Sequence, residues 1–371
     1  MKYKIRVGAP KIVEKDIQQV LKALRENRLS SGKYTENFEK NFAKYIQVKY
    51  AVGVNSGTSA LLLMLAATNI GKGDEVITTS FTYAATTNVI ILQGAKPVFV
   101  DIDQDSYNLD PSKILKKVTK KTKAIMPIHY GGQSSNMSEI MKIARECNLL
   151  VFEDAAPAVG ALHKGKKVGG IGDAGGFSFF PDKNMTTGEG GMLTTNSEEI
   201  ATKAKIMSRN GASSRYYHIE IGWNFKLPDP NSALGISQLK RLPKTLKERS
   251  KLASNYNELF LENLEGKIII PKIDKGNTHT FNLYNIRFNS SKDRDYVKAF
   301  LEKNKIETRI CFPPVHLQPV YSKLVKVPKN SLKITEECAR TSLCMPMFPD
   351  LTEKNQKEIV LLVKKALRNH E

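Results

Sequence analysis

The feature that most constrains the fold is an alternation of short apolar segments with helical segments, which begins near residue 51. The predicted strands are AVGVNS (51–56), EVITTS (75–80), KPVFVDI (96–102), KAIMPIHY (123–130) and LLVFEDAA (149–156), followed by the short GGFSFF and GGMLTTN. The segments between the first and second, the second and third, and the fourth and fifth of these strands are predicted to be helices. Strands that alternate with helices of this length form parallel sheets with helices on both faces, so we expect an α/β fold with a mostly parallel sheet.

The pattern changes after about residue 230, and 371 residues are enough for two domains. Residues 236–264 form a long charged helical segment that we interpret as the bridge between domains, with a break or bend predicted at Pro243. Residues 280–288 alternate like an antiparallel strand. We therefore expect a large α/β domain over residues 1–240, with helices at its N-terminal end, and a smaller α+β domain over residues 241–371.

The chain is strongly basic, with 57 Lys and Arg against 37 Asp and Glu and a net charge of +20. The lysines are spread along the chain, so we expect most of them on a solvated surface, while some could attract a nucleotide or a phosphorylated cofactor. There is no arginine-rich arm and no interleaving of basic with aromatic residues, so no nucleic-acid partner is expected.

The cysteines and the apolar runs exclude other classes of protein. Cys147, Cys311, Cys338 and Cys344 have neither CxxC spacing nor a metal-ligand pattern, so we expect no metal site and four reduced thiols. The N-terminal segment is not a signal peptide, and the longest apolar run, 60–67, is too short to span a bilayer. We expect a soluble, cytoplasmic protein with no membrane partner.

Ligands of an open parallel sheet bind beyond the carboxyl ends of its strands, and four segments at such ends carry suitable side chains. In NSGTSAL, the residues Gly57, Thr58 and Ser59 begin a helix directly after a strand. The free N–H groups and dipole at a helix start favour a phosphate, by about 0.3–1 kcal/mol for the dipole. Taken alone, this segment also fits an ordinary N-capped helix.

The second and third segments supply a carboxylate and a lysine. The apolar strand LLVF ends in Glu153 and Asp154, and a carboxylate at this edge can pair with a protonated pyridine nitrogen or cap the next helix. Lys183 lies in a glycine- and threonine-rich turn, where partial desolvation would make its amine nucleophilic toward a carbonyl compound. Ser178 precedes it and could contact the same phosphate. A lone lysine is ordinarily a surface charge, so this prediction depends on the surrounding motif.

The fourth segment, FTYAATTN, places Tyr83 after another predicted strand. An aromatic side chain there could stack on a flat cofactor ring, which contributes about 0.5–1.5 kcal/mol beyond burial. A core aromatic is an equal alternative for Tyr83 in isolation.

Seven segments occur in the order found in the DegT/DnrJ/EryC1/StrS family: NSGTSAL, SFTYAATTN, FEDAAPAVGA, FSFFPDKN, GEGGMLTTN, IGWNFKL and CFPPVHLQPVY. The chain resembles this family over nearly its whole length. Its members are sugar aminotransferases of the fold-type I group, which use pyridoxal 5'-phosphate (PLP). The resemblance therefore implies a fold-type I PLP-dependent transferase and a homodimer with active sites at the subunit interface.

The resemblance also implies roles for single residues. Lys183 matches the lysine that holds PLP as a Schiff base and later moves a proton, Asp154 matches the carboxylate facing the pyridine nitrogen, and Tyr83 matches an aromatic over the ring. The residues that match the phosphate-binding group are Gly57, Thr58, Ser59 and Ser178.

Three further matches concern the neighbouring subunit and the substrate. Asn224 matches an asparagine that reaches the phosphate from the neighbouring subunit. His316 and Arg309 lie in a segment that resembles the family's substrate-side loop, although a structural hydrogen bond explains His316 equally well. Two positions depart from the family pattern: Pro157 replaces a Gln or His that contacts the cofactor, and Lys226 replaces an Arg, which has a different fork geometry.

The reaction implied by the resemblance moves an amino group from L-glutamate to a keto sugar carried on a nucleoside diphosphate, with a 4-keto-6-deoxyhexose expected. The product would serve amino-sugar or polysaccharide biosynthesis. Three alternatives stay open: a dehydratase that has lost the lysine, which Lys183 argues against, a lysine-containing dehydratase of a cyclic precursor, and a PLP-binding regulatory protein without turnover.

Overall fold

The structure is a computed structural model that describes residues 2–370. Eleven α-helices lie within these residues: α1 (Glu14–Arg25), α2 (Lys33–Ile46), α3 (Gly57–Ala67), α4 (Ala84–Leu92), α5 (Met137–Glu146), α6 (Glu198–Met207), α7 (Asp229–Leu264), α8 (Ser291–Lys303), α9 (Pro319–Leu324), α10 (Lys333–Thr341) and α11 (Glu353–His370).

The same residues form fourteen strands: β1 (Tyr50–Val54), β2 (Glu75–Thr79), β3 (Lys96–Val100), β4 (Thr122–Ile125), β5 (Leu150–Asp154), β6 (Leu162–His163), β7 (Lys166–Lys167), β8 (Ala174–Ser178), β9 (Gly191–Thr195), β10 (Ala212–Ser214), β11 (Tyr217–His218), β12 (Ile268–Ile269), β13 (Tyr284–Phe288) and β14 (Ser342–Met345).

Seven strands form one mixed sheet in the order β1-β9-β8-β5-β4-β2-β3. The four neighbouring pairs from β8 to β3 are parallel, whereas β9 runs antiparallel to both β1 and β8. The carboxyl ends of β1, β2, β4, β5 and β8 therefore lie at one edge. The predicted mostly parallel α/β sheet is confirmed, and this edge is where a ligand is expected.

Alternate residues of β8 pack against helices on opposite faces of the sheet, as a strand buried on both sides requires. Gly176 faces α3 so closely that an added Cβ would lie 2.8 Å from Leu61. Phe177 lies on the other face, where its ring packs 5.0 Å from that of Phe42 in α2. All residues of α3 except Thr58 are buried, so this helix is a central element of the core.

A three-stranded antiparallel sheet, β12-β13-β14, forms the centre of a second lobe with α8, α10 and α11. The helix α7 extends from the first lobe into the second, and Tyr256 and Phe260 lie in the core of the second lobe. The helix continues through Pro243, so the predicted break is wrong.

The N-terminal segment joins the second lobe, although it comes first in the sequence. Ile5 lies in the core of that lobe and forms a parallel bridge with Ile306. The N–H of Lys4 donates to the carbonyl of Lys305 at 2.7 Å, and the N–H of Met347 donates to the carbonyl of Val7 at 3.0 Å. The second lobe is therefore built from both ends of the chain. None of the helices between residues 2 and 370 has the length and apolar character needed to cross a bilayer.

Candidate active site

The start of α3 and the end of β8 are in contact at the carboxyl edge of the large sheet. A Cβ added to Gly57 would lie 2.8 Å from the Cβ of Ser178, so only glycine allows this approach. The first N–H groups of a helix have no intrahelical acceptor, which leaves those of Gly57 and Thr58 to face a ligand. The structure thus brings these residues together at the N-terminus of α3, where a phosphate group is favoured.

The hydroxyls of Ser56 and Ser59 form hydrogen bonds within this turn and stabilise its conformation. The Oγ of Ser56 accepts a hydrogen bond from the N–H of Ser59 at 3.1 Å, which caps α3. The hydroxyl of Ser59 in turn donates to Oδ1 of Asn55 at 2.7 Å. The hydroxyl proton of Ser59 is therefore already used, although its oxygen still has acceptor capacity.

Asp154 ends β5 as a buried carboxylate without a salt-bridge partner in residues 2–370. Oδ2 accepts a hydrogen bond from the hydroxyl of Thr86 at 2.7 Å, and Oδ1 accepts one from the N–H of Ala156 at 3.2 Å. Burial raises the pKa of Asp154, while these bonds and the nearby charge of Lys183 oppose that rise. A buried carboxylate that has donors but no paired cation fits a protonated pyridine nitrogen.

Lys183 lies in the turn after β8, where its backbone N–H donates to the carbonyl of Phe180 at 3.0 Å. Its Nζ is 3.3 Å from Oδ1 of Asp182, and its side chain is 20% exposed. The guanidinium of Arg309 contacts the other carboxylate oxygen of Asp182 at 3.2 Å. Asp182 therefore lies between two cations. We did not predict it from the sequence, although its position next to Lys183 was a usable signal.

Tyr83 forms the N-cap of α4 and is 66% exposed, so a core aromatic is wrong. Its ring centroid lies 6.3 Å from that of Phe312, which belongs to the segment that carries Arg309. The ring is thus available at the carboxyl edge for stacking on a flat ligand.

His316 is buried, and both of its ring nitrogens have partners. Nδ1 lies 2.6 Å from the hydroxyl of Ser80, which also accepts the backbone N–H of His316 at 3.2 Å. Nε2 lies 3.4 Å from a carboxylate oxygen of Glu336, and burial lowers the pKa of His316. This geometry favours the structural alternative for His316 over substrate binding.

Asn224 and Lys226 lie beside the turn that begins α3. The backbone carbonyl of Asn224 accepts a hydrogen bond from Nδ2 of Asn55 at 3.4 Å, whereas its exposed side chain has no hydrogen bond within residues 2–370. Lys226 forms an antiparallel bridge with Val54. The contact of Asn224 across a subunit interface stays a prediction. Pro157 is buried three residues beyond Asp154, the last residue of β5.

A disulfide joins Cys311 to Cys344, so the expectation of four reduced thiols is wrong for this pair. Arg309 and Cys344 exchange both backbone hydrogen bonds, at 3.2 and 2.8 Å, which brings the loop against β14. The two cysteines are 33 residues apart, and no local spacing indicates that contact. Cys147 and Cys338 are free thiols.

Comparison with known proteins agrees with this geometry. The family model of the DegT/DnrJ/EryC1/StrS aminotransferase family matches residues 10–364. GDP-perosamine synthase of Caulobacter vibrioides is 39% identical over 98% of each chain. dTDP-3-amino-3,6-dideoxy-alpha-D-galactopyranose transaminase of Aneurinibacillus thermoaerophilus is 36% identical over 94% of each chain.

A solved structure is also similar over the whole chain. The PLP form of the putative sugar aminotransferase Spr1654 from Streptococcus pneumoniae has 27% identity, 99% coverage of both chains and a TM-score of 0.93. The expected fold-type I architecture is confirmed, because the match extends through both lobes. The chain belongs to the DegT/DnrJ/EryC1/StrS family of PLP-dependent aminotransferases.

Proposed function

We propose that this protein transfers an amino group from L-glutamate to a keto sugar carried on a nucleoside diphosphate, with a 4-keto-6-deoxyhexose as the expected sugar. The observation that carries this proposal is the meeting of three groups at one sheet edge. These are the amine of Lys183, the buried carboxylate of Asp154 and the start of α3 at Gly57, which lies against Ser178. They correspond to the carbonyl carbon, the ring nitrogen and the phosphate of PLP.

The residues of this edge have separate tasks in holding PLP, which when bound acts as an electron sink for the carbon attached to the amino nitrogen. Lys183 anchors it through Nζ, and Asp154 keeps the ring nitrogen protonated. The exposed ring of Tyr83 covers one face. The residues proposed for the phosphate are Gly57, Thr58, Ser59 and Ser178, together with Asn224 contributed across a homodimer interface.

Lys183 also has a proton to move. With PLP bound, the amine of Lys183, once free, would be the base that takes the proton from the α-carbon of glutamate. Asp182 lies 3.3 Å from Nζ and can hold the freed amine near the reacting carbon. The same amine would return a proton to the carbon of the keto sugar that receives the amino group.

Arg309 is the proposed contact for an anionic group of a substrate. Its side chain is 48% exposed and is held at the site by Asp182. A guanidinium binds carboxylates and phosphates with two parallel hydrogen bonds. The net charge of +20 would add a general attraction for a nucleoside diphosphate. The relatives named above use GDP-linked and dTDP-linked sugars, and their names support this substrate class.

The visible spectrum of the purified protein with PLP, before and after addition of L-glutamate, tests this proposal. We expect the band of the lysine-bound cofactor to give way to the band of pyridoxamine phosphate. Lys183→Ala should abolish both the first band and its conversion, whereas Lys166→Ala, an exposed lysine on β7, should change neither. Nucleotide keto sugars should then restore the original band.

Other outcomes would overturn the proposal. A protein that binds PLP through Lys183 but does not respond to glutamate has a different donor or is not an aminotransferase. Loss of water from a sugar without any amino donor would indicate a dehydratase. Binding of PLP without any turnover would support a regulatory role.

A further inference from the structure

Two threonine hydroxyls form a chain that ends on Asp154. The Oγ1 atoms of Thr82 and Thr86 are 2.8 Å apart, and the hydroxyl of Thr86 lies 2.7 Å from Oδ2 of Asp154. All three side chains are buried, with exposed fractions of 1%, 1% and 3%. The chain is therefore shielded from water, where a hydrogen bond has its largest effect on a charged group.

The direction of these hydrogen bonds follows from the number of protons. An ionised carboxylate only accepts, so the single hydroxyl proton of Thr86 points at Asp154. The oxygen of Thr86 then accepts the proton of Thr82. With Thr82 as the donor to its oxygen, the Thr86 hydroxyl keeps the orientation in which it donates to Asp154.

The hydrogen bond from Thr86 favours the ionised form of Asp154. Burial favours the neutral carboxyl group, and donors to the carboxylate favour the ionised one. Only two such donors contact Asp154 within residues 2–370: the Thr86 hydroxyl and the N–H of Ala156. His129 and Lys183 also lower the pKa of Asp154 through their charges, but in the described residues neither donates a hydrogen bond to its carboxylate.

We propose that Thr86 is a positioning residue that keeps Asp154 ionised and aimed at the ring nitrogen of PLP, with Thr82 fixing the orientation of the Thr86 hydroxyl. The inference rests on the proposed function, since it assigns PLP to this edge. It goes beyond that function because it makes the strength of cofactor binding depend on a side chain that does not touch the cofactor.

The chain offers matched variants for a test. Thr86→Val keeps the shape and removes the hydroxyl, whereas Thr86→Ser keeps the hydroxyl. Thr82→Val disturbs the chain one step away from Asp154. Thr87→Val is the control, because Thr87 is fully buried on the same helix and its hydroxyl has no hydrogen-bond partner in the described chain.

The experiment measures dissociation constants of each apoprotein for PLP and for 1-deaza-PLP, in which carbon replaces the ring nitrogen. A hydrogen bond to a charged group contributes enough that we expect Thr86→Val to weaken PLP binding about tenfold or more. Binding of the 1-deaza compound should change less than about twofold, because it makes no demand on the charge of Asp154. Thr86→Ser should restore PLP binding, Thr82→Val should give a smaller loss, and Thr87→Val should give none.

Equal weakening of both compounds by Thr86→Val would show a merely structural role and overturn the inference. Unchanged PLP binding in Thr86→Val would also overturn it, while the proposed function would stand. Failure of the unaltered protein to bind PLP would overturn both. Should Thr86→Val not fold, Thr82→Val decides through the same comparison of PLP with its 1-deaza analogue.

Discussion

Nε2 of His129 lies 3.0 Å from a carboxylate oxygen of Glu153, and both side chains are fully buried beside Asp154. The N–H of Ser135 donates to Nδ1 of His129 at 3.0 Å, so the proton of the imidazole resides on Nε2 and points at Glu153. Glu153 also accepts three backbone N–H groups of residues 169–172. Glu153 therefore holds both the segment after β4 and residues 169–172 against β5, next to Asp154.

Glu153→Gln should destabilise the protein at neutral pH. Burial alone would raise the pKa of Glu153, but the hydrogen bonds from His129, Gly172 and Gly169 outweigh it and lower that pKa. A glutamine would turn its NH₂ toward these donors, and we expect a loss of about 3 kcal/mol in the free energy of unfolding, measured with denaturant.

The pH dependence of that loss follows from the lowered pKa. The carboxylate stabilises the fold above its ordinary pKa of 4.5, and this contribution disappears as the pH falls through its lower value in the folded protein. The difference between Glu153→Gln and the unaltered protein should therefore shrink in acid. Glu146→Gln, an exposed position, should show no difference at any pH.

Asp154→Asn should have the opposite effect on the apoprotein. The pKa of Asp154 is raised by burial, so its ionisation opposes folding, and that cost appears as the pH rises through the folded pKa. We expect the variant to melt a few degrees higher at pH 7 and to lose this advantage below the ordinary pKa of 3.8. PLP binding should weaken at least about tenfold, since an amide does not hold a pyridinium. A variant less stable than the unaltered apoprotein at pH 7 would contradict this account.

Gly57→Ala should disturb the proposed phosphate site. Its Cβ would meet the Cβ of Ser178 at 2.8 Å and the Cα at 3.2 Å, so α3 and β8 must separate. We expect a loss of about 1–3 kcal/mol in the free energy of unfolding, as for other overpacked sites, and weaker PLP binding in a titration. Gly8→Ala is the matched control, because its Cβ would meet only Asp182, at 4.0 Å.

Arg309→Gln should affect substrate binding more than folding. The ion pair with Asp182 is partly exposed, so we expect stability to change by less than about 1 kcal/mol. Steady-state kinetics should show an increase in KM of about tenfold for one anionic substrate, with a smaller change in kcat. Arg340→Gln, at an exposed position on α10, should leave both constants unchanged. Unaltered KM values for glutamate and for the nucleotide sugar would show that Arg309 does not bind either substrate.

The large sheet could be predicted from the sequence because its signals are local. Each strand of the set from β1 to β5 is a short apolar run, and α3 and α4 follow their strands directly. The rule that ligands bind at the carboxyl edge then selected Gly57, Asp154 and Lys183, which the structure places at that edge.

The features that could not be predicted depend on contacts between distant parts of the chain. Thr86 lies in the first turn of α4, where its residue type gives no signal of a role, and only the fold brings it to Asp154. The disulfide between Cys311 and Cys344 depends on a loop that lies against β14, and the spacing of the cysteines does not indicate this contact. Glu153 precedes Asp154 directly in the sequence, but its partner His129 comes from the segment after β4.

The placement of the N-terminal residues has a consequence for how the chain comes apart. Ile5 and Val7 complete the lobe whose other elements come mostly from residues beyond 264, and α7 contributes to both cores without interruption. A fragment of residues 241–371 would leave the apolar surface under Ile5 open to water and would begin in the middle of a helix. We therefore expect that neither lobe folds alone, and calorimetry should record one heat-absorption peak in which both melt together.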